Sequence, residues 1–167
     1  MSLSIRSLAA TAVAAVALVG AATLPATADG SHRHGHHNGH HGHGQRGGVE
    51  ISEVQYNSRG IDSRFNRSLN GEWFTVRNDG RFPVQLRNHT VRDGRGHTYR
   101  FGWLRLRGGQ EVTVHTGYGR DSGSRVYQDS PRHLYSNVRG SLTLRDDEGR
   151  RLDRCAWNRW DGGHKSC

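Results

Sequence analysis

A seven-residue device, written twice, constrains this chain more than anything else in it. Residues 90–96 read T-V-R-D-G-R-G and residues 143–149 read T-L-R-D-D-E-G. Both are T-Φ-R-D-x-x-G with Φ apolar, and His97 or Arg150 follows. Asp at the first position of a type I turn hydrogen-bonds the backbone of its own turn, and Gly at the fourth accepts positive φ. Such a turn followed by a left-handed Gly closes a β-hairpin with a bulge. The spacing therefore predicts that 90–92 pairs with 98–101 and that 142–145 pairs with 151–155. The carboxylates at 146–148 are read second as a loose calcium site, but they lack the dense alternating oxygen ligands of a calcium loop.

The rest of the chain agrees with a β fold. V-E-I-S-E-V-Q-Y (49–56) and E-W-F-T-V-R-N (72–78) alternate β-branched and polar residues, as do E-V-T-V-H-T (111–116) and the short P-V-Q-L (83–86). Asn78-Asp79-Gly80, Gly108-Gly109 and Gly117/Gly119 punctuate them. Helical spacing with caps over ten residues is not found. Short strands separated by turns at this spacing predict an all-β sandwich or barrel over 49–157.

Residues 1–28 hold one charge, Arg6, then an apolar Ala-rich run and the small-x-small triplet 26–28, a secretory signal peptide with cleavage between Ala28 and Asp29. Residues 29–48 form a second segment without apolar residues, D-G-S-H-R-H-G-H-H-N-G-H-H-G-H-G-Q-R-G-G. It cannot bury a core and is expected as a disordered His/Gly-rich arm. Residues 158–167 are expected as a C-terminal tail. Export permits a disulfide, and Cys155 and Cys167 allow one intramolecular pairing. The competing reading is a disordered tail with a free or intermolecular thiol.

The ordered series I-S-E-V-Q-Y-N-S-x-G (51–60), E-W-F-T-V-R-N (72–78), V-Q-L-R-N-H-T-V-R-D-x-x-G-x-x-Y-x-F (84–101), V-T-V-H-T-G (112–117) and L-T-L-R-D-x-x-G-x-x-L-D (142–153) resembles the lamin tail domain family in its bacterial secreted form. The resemblance covers about 49–157. It implies an immunoglobulin-like β-sandwich and a noncatalytic binding or structural module, with no catalytic residues to carry over. In animal lamins the domain is a surface for protein partners and for DNA; in bacteria it occurs on exported proteins, alone or beside hydrolases. Two departures stand out: His89 where the family has Trp, and Tyr135-Ser136-Asn137 for the family's Trp-Asn-Asn.

Three stretches carry chemistry. His34, His36, His37, His40, His41 and His43 offer imidazole to zinc, copper or nickel, in a site that a flexible arm makes adaptable and unselective. No cofactor is required, and metal taken up there is expected to be adventitious. The formal net charge is +9, and all the basic residues except Lys165 are Arg. Arg87, Arg92, Arg95, Arg100, Arg105 and Arg107 crowd one region, interleaved with Tyr99, Phe101 and Trp103. Arg binds phosphate bidentately and stacks on rings, so this region is the candidate grip for nucleic acid or wall phosphate. Asp79, Asp93 and Glu111 are expected to neutralise part of it. Glu53 and Glu72 fall in strands where they face each other, a carboxylate pair without a cleft. The expectation is an exported or envelope-associated monomer, not an enzyme, that recognises a protein or an anionic polymer. Metal scavenging by the arm is the alternative.

Overall fold

The computed structural model describes residues 48–167. The expected leader with its Ala28/Asp29 boundary, and the arm's His34, His36, His37, His40, His41 and His43, lie outside the described residues. In chain order the elements are β1 (Val49–Gln55), α1 (Asn66–Leu69), β2 (Trp73–Asn78), β3 (Val84–Gln85), β4 (Thr90–Asp93), β5 (Thr98–Arg100) and β6 (Arg105–Leu106). Then follow β7 (Glu111–His115), β8 (Arg125–Tyr127), β9 (Arg139–Arg145), β10 (Arg151–Asn158), a 3₁₀ turn (Arg159–Asp161) and β11 (His164–Ser166).

The strands form a five-stranded sheet in the order β11-β1-β2-β7-β8, a four-stranded sheet β10-β9-β4-β5 and a two-stranded ribbon β3-β6. Period-2 patterning places one face of each large sheet inside. Val54, Phe74, Val76, Val112 and Val114 of the first meet Val91, Leu142, Leu144 and Trp157 of the second in one buried cluster. Each such burial stabilises by about 1.5–3 kcal/mol. This is the all-β sandwich that the strand spacing predicts, in the immunoglobulin-like form that the family resemblance implies.

Both hairpins form as expected, with the same atoms in the same roles. In the first, Gly96 N donates to Asp93 O at 3.2 Å, Asp93 Oδ1 accepts from Arg95 N and His97 N, and Oδ2 meets His97 Nδ1 at 2.8 Å. In the second, Gly149 N donates to Asp146 O at 3.1 Å, Asp146 Oδ1 accepts from Glu148 N and Arg150 N, and Oδ2 accepts from Arg150 Nε at 2.7 Å. Gly96 and Gly149 have φ of 98° and 81°, the left-handed region that a Cβ disfavours. The seventh position's Gly and the eighth's base are thus one device with the Asp. Asp146 is occupied by backbone N–H groups and Arg150, and Glu148 pairs with Arg150 at 3.3 Å.

The C-terminal segment departs from the expected tail. Residues 158–167 turn back and add β11 to the edge of the first sheet, beside β1. Gly163 N donates to Tyr56 Oη at 2.8 Å, and Gly163 O accepts from Tyr56 N and Asn57 N. Cys155 of β10 and Cys167 after β11 are bonded, with Cα atoms 5.6 Å apart. The bond ties one sheet to the other. Trp157 stacks on Tyr56 at 5.2 Å beneath it.

The two departures from the family pattern are both accommodated in the core. His89 is buried at the β3–β4 turn, its N–H on Leu86 O and its carbonyl on Phe101 N. Tyr135 is buried edge-on to Trp157, with its hydroxyl accepting from Gln128 Nε2 at 2.8 Å.

Candidate anion-binding face

The outer face of the four-stranded sheet is built by register. Thr90 of β4 lies opposite Arg100 on one side and Arg145 on the other, and Arg145 lies opposite Arg151. One row therefore reads Arg100–Thr90–Arg145–Arg151. Two residues along, Arg92 lies opposite Thr98 and Thr143, and Thr143 opposite Arg154, giving Thr98–Arg92–Thr143–Arg154. All these arginines are exposed.

A bulge completes the first row. In β10 the register shifts between Arg151 and Asp153, so Leu152 is an extra residue. Strict alternation from inward Cys155 would turn Arg151 inward; the bulge returns it to the face, as bulges re-aim side chains. Directly opposed like charges are destabilising, with Cβ atoms only about 4.5–5.5 Å apart. Arg145 and Arg151 accept that juxtaposition. Small Thr and Ser side chains separate the other guanidinium groups and leave room between them.

Carboxylates do not cancel this face. Of the acids in its own hairpins, Asp93 and Asp146 point into their turns, Glu148 pairs with Arg150 at 3.3 Å, and Asp147 is exposed at the tip. Asp79 pairs with Arg77 at 3.6 Å, and Glu111 lies opposite the same Arg77 on the other sheet. Asp153 faces the core edge and accepts from Ile51 N at 2.8 Å, where a bulge in β1 frees that amide. Among the described residues no ion pair is formed by Arg92, Arg100, Arg145, Arg151 or Arg154. Single hydrogen bonds steady three of them: Arg100 to Asn88 O, Arg145 to Gly149 O and Arg154 to Ser141 Oγ. A guanidinium has five donors, so most remain available.

At one end the face runs into a cavity of about 410 Å³, with Arg95, Arg139 and Arg154 at its rim and Tyr135 and Trp157 beneath. Gly140 is required there, because a Cβ would enter the Trp157 ring.

The six arginines singled out from sequence do not lie together. Arg92 and Arg100 are on the face, and Arg95 is at its hairpin tip beside the cavity. Arg87, just past β3, lies over the exposed Trp103 ring at 4.2 Å, Arg105 is in β6 of the β3–β6 ribbon, and Arg107 follows β6. Tyr99 and Phe101 pack edge-on to each other at 4.9 Å, Phe101 in the core and Tyr99 against it. Sequence reading missed Arg139, Arg145, Arg151 and Arg154, because adjacency along the chain hides strands that pair from fifty residues away.

It also misplaced Glu72, which precedes β2 and does not face Glu53. Glu72 is buried, and its carboxylate accepts from Thr116 Oγ1, Leu134 N and Tyr135 N at 2.8, 2.9 and 2.7 Å. Burial pushes its pKa up, against those hydrogen bonds and the His133 ring. It anchors the 128–136 connection and is a structural group. The Gly119–Gly123 loop is likewise structural: Ser122 Oγ accepts from Arg125 N, and Asp121 Oδ1 from Tyr127 N.

Two large sheets packed face to face with hairpin-capped strands define the immunoglobulin-like β-sandwich class. The sequence model of the Lamin Tail Domain family matches residues 43–159, and the chain belongs to that family. No curated protein matches the chain.

Proposed function

We propose that the protein is an exported, noncatalytic binding module that holds an anionic polymer, nucleic acid or wall phosphate, on the outer face of its four-stranded sheet. The observation that carries this reading is the pair of registered arginine rows without ion-pair partners. Phosphates at intervals along a polymer would bridge Arg145 and Arg151 and relieve their repulsion, while Arg92 and Arg154 hold the next row. Family membership supports a binding role, and the Cys155–Cys167 bond supports an oxidising compartment. No helix among the described residues is long and apolar enough to cross a membrane.

The test is fluorescence anisotropy of labelled duplex DNA and of poly(glycerol phosphate). Arg92→Ala with Arg145→Ala is expected to weaken binding about tenfold or more, and Arg87→Ala with Arg105→Ala to leave it nearly unchanged. Equal losses in both pairs would sink the assignment to this face. The second reading is metal binding by the arm, favoured by its crowded His residues. Deleting 32–43 is then expected to abolish zinc and copper uptake and leave the melting temperature unchanged. Retained uptake would contradict it.

A further inference from the structure

We propose that the cleft under the β1–β2 connection is a second, separate site that binds a soluble apolar molecule bearing one anionic headgroup. The connection spans residues 56–72 and carries the short helix α1 within it. Its backbone is pinned. Ser58 Oγ donates to Ser68 O at 2.7 Å, and Ser63 N to Ser68 Oγ at 3.1 Å. His133 Nε2 reaches Ser63 O at 3.2 Å, and Asn137 Nδ2 donates to Asp62 Oδ2 at 2.9 Å. Asn66 and Tyr118 exchange hydrogen bonds at 2.8 and 2.7 Å.

Within this fixed frame, Ile61 and Phe65 are 90% and 80% exposed. Each gives up about 1.5–3 kcal/mol of burial by staying outside. A loop held so firmly has no need to leave its two largest apolar side chains in water unless something covers them. They flank a cavity of about 550 Å³ whose inner wall is Trp73. That size is within the range of about 300–1,000 Å³ for small-ligand sites. Gly71 lets the connection pack closely on itself: a Cβ there would press on Ser58 Cβ and on the Ser68 carbonyl at 3.0 Å.

Charge decides the ligand class. Arg59 and Arg67 line the cavity, both exposed, and no carboxylate does. Asp62 is turned away to Asn137 and His133. The side chains of Ile61, Phe65 and Trp73, set among Gln55 and three serines, accept a hydrocarbon or aromatic body, and the two guanidinium groups accept a carboxylate, sulfonate or phosphate. A cation would be repelled, and a neutral hydrocarbon would leave both arginines unanswered.

The test uses 8-anilinonaphthalene-1-sulfonate, an aromatic body with one sulfonate, titrated into the protein and displaced by decanoate or by decanol. One saturable site is expected, displaced by decanoate far better than by decanol. Phe65→Ala and Arg67→Ala should each weaken binding about tenfold. Both side chains are exposed, so melting temperatures should hold. Trp103→Ala, which removes a different exposed aromatic, and Arg92→Ala with Arg145→Ala, which strip the sheet face, should change nothing. Unsaturable binding, insensitivity to Phe65→Ala and Arg67→Ala, or equal displacement by decanol would overturn the proposal.

Discussion

At the residue scale, one carboxylate organises each hairpin tip, and its chemistry predicts how the fold responds to acid. Burial pushes the Asp146 carboxyl up, but the Arg150 side chain, two backbone N–H groups and the Arg150 charge outweigh it and hold the pKa below the ordinary carboxylate value. A depressed folded pKa contributes stability above the unfolded value of about 3.9 and loses it as pH falls through the folded value. Asp146→Asn should therefore be less stable than the wild type at neutral pH, with the gap closing as the pH is lowered below 4. Urea midpoints across pH measure this, and a pH-independent gap would contradict it. Gly149 isolates the backbone contribution, since a Cβ there meets nothing within 4 Å. Gly149→Ala should cost about 1–2 kcal/mol from positive φ alone. Glu72→Gln should cost about 1–3 kcal/mol, because either amide orientation turns an NH₂ toward an N–H or O–H donor.

At the scale of elements, what was legible in the sequence was local. The T-Φ-R-D-x-x-G turns carry their own hydrogen-bond acceptor and their own left-handed Gly, so both hairpins could be placed without knowledge of the fold. β8 and β11 could not. β8 is three residues that pair in parallel with β7, and β11 is H-K-S, with no apolar alternation. β11 is held by β1, by Gly163 against Tyr56 and by the disulfide, all long-range. The arginine rows were hidden for the same reason, and the Leu152 bulge reverses the parity from which Arg151 would be read. Replacing Cys155 and Cys167 by Ser should lower stability by about 2–3 kcal/mol on the loop-closure estimate. It should also raise hydrogen exchange at 164–167 more than in β9. Unchanged exchange there would mean that the backbone bonds alone hold β11.

At the scale of the whole molecule, a formal charge of +9 says little until the acids are located. Two are consumed in hairpin turns, one on Ile51 N and one deep at Glu72, and the arginine rows on the outer face of the four-stranded sheet form no ion pair among the described residues. The proposed function requires that face to carry phosphate. The most direct measurement is the slope of log affinity for duplex DNA against log salt, for the wild type and for Arg92→Ala/Arg145→Ala/Arg151→Ala. Each phosphate contact contributes about −0.9 to the slope, so the triple variant should be shallower by about 2–3. A slope unchanged by removing all three would contradict the account and place any polyanion contact elsewhere on the molecule.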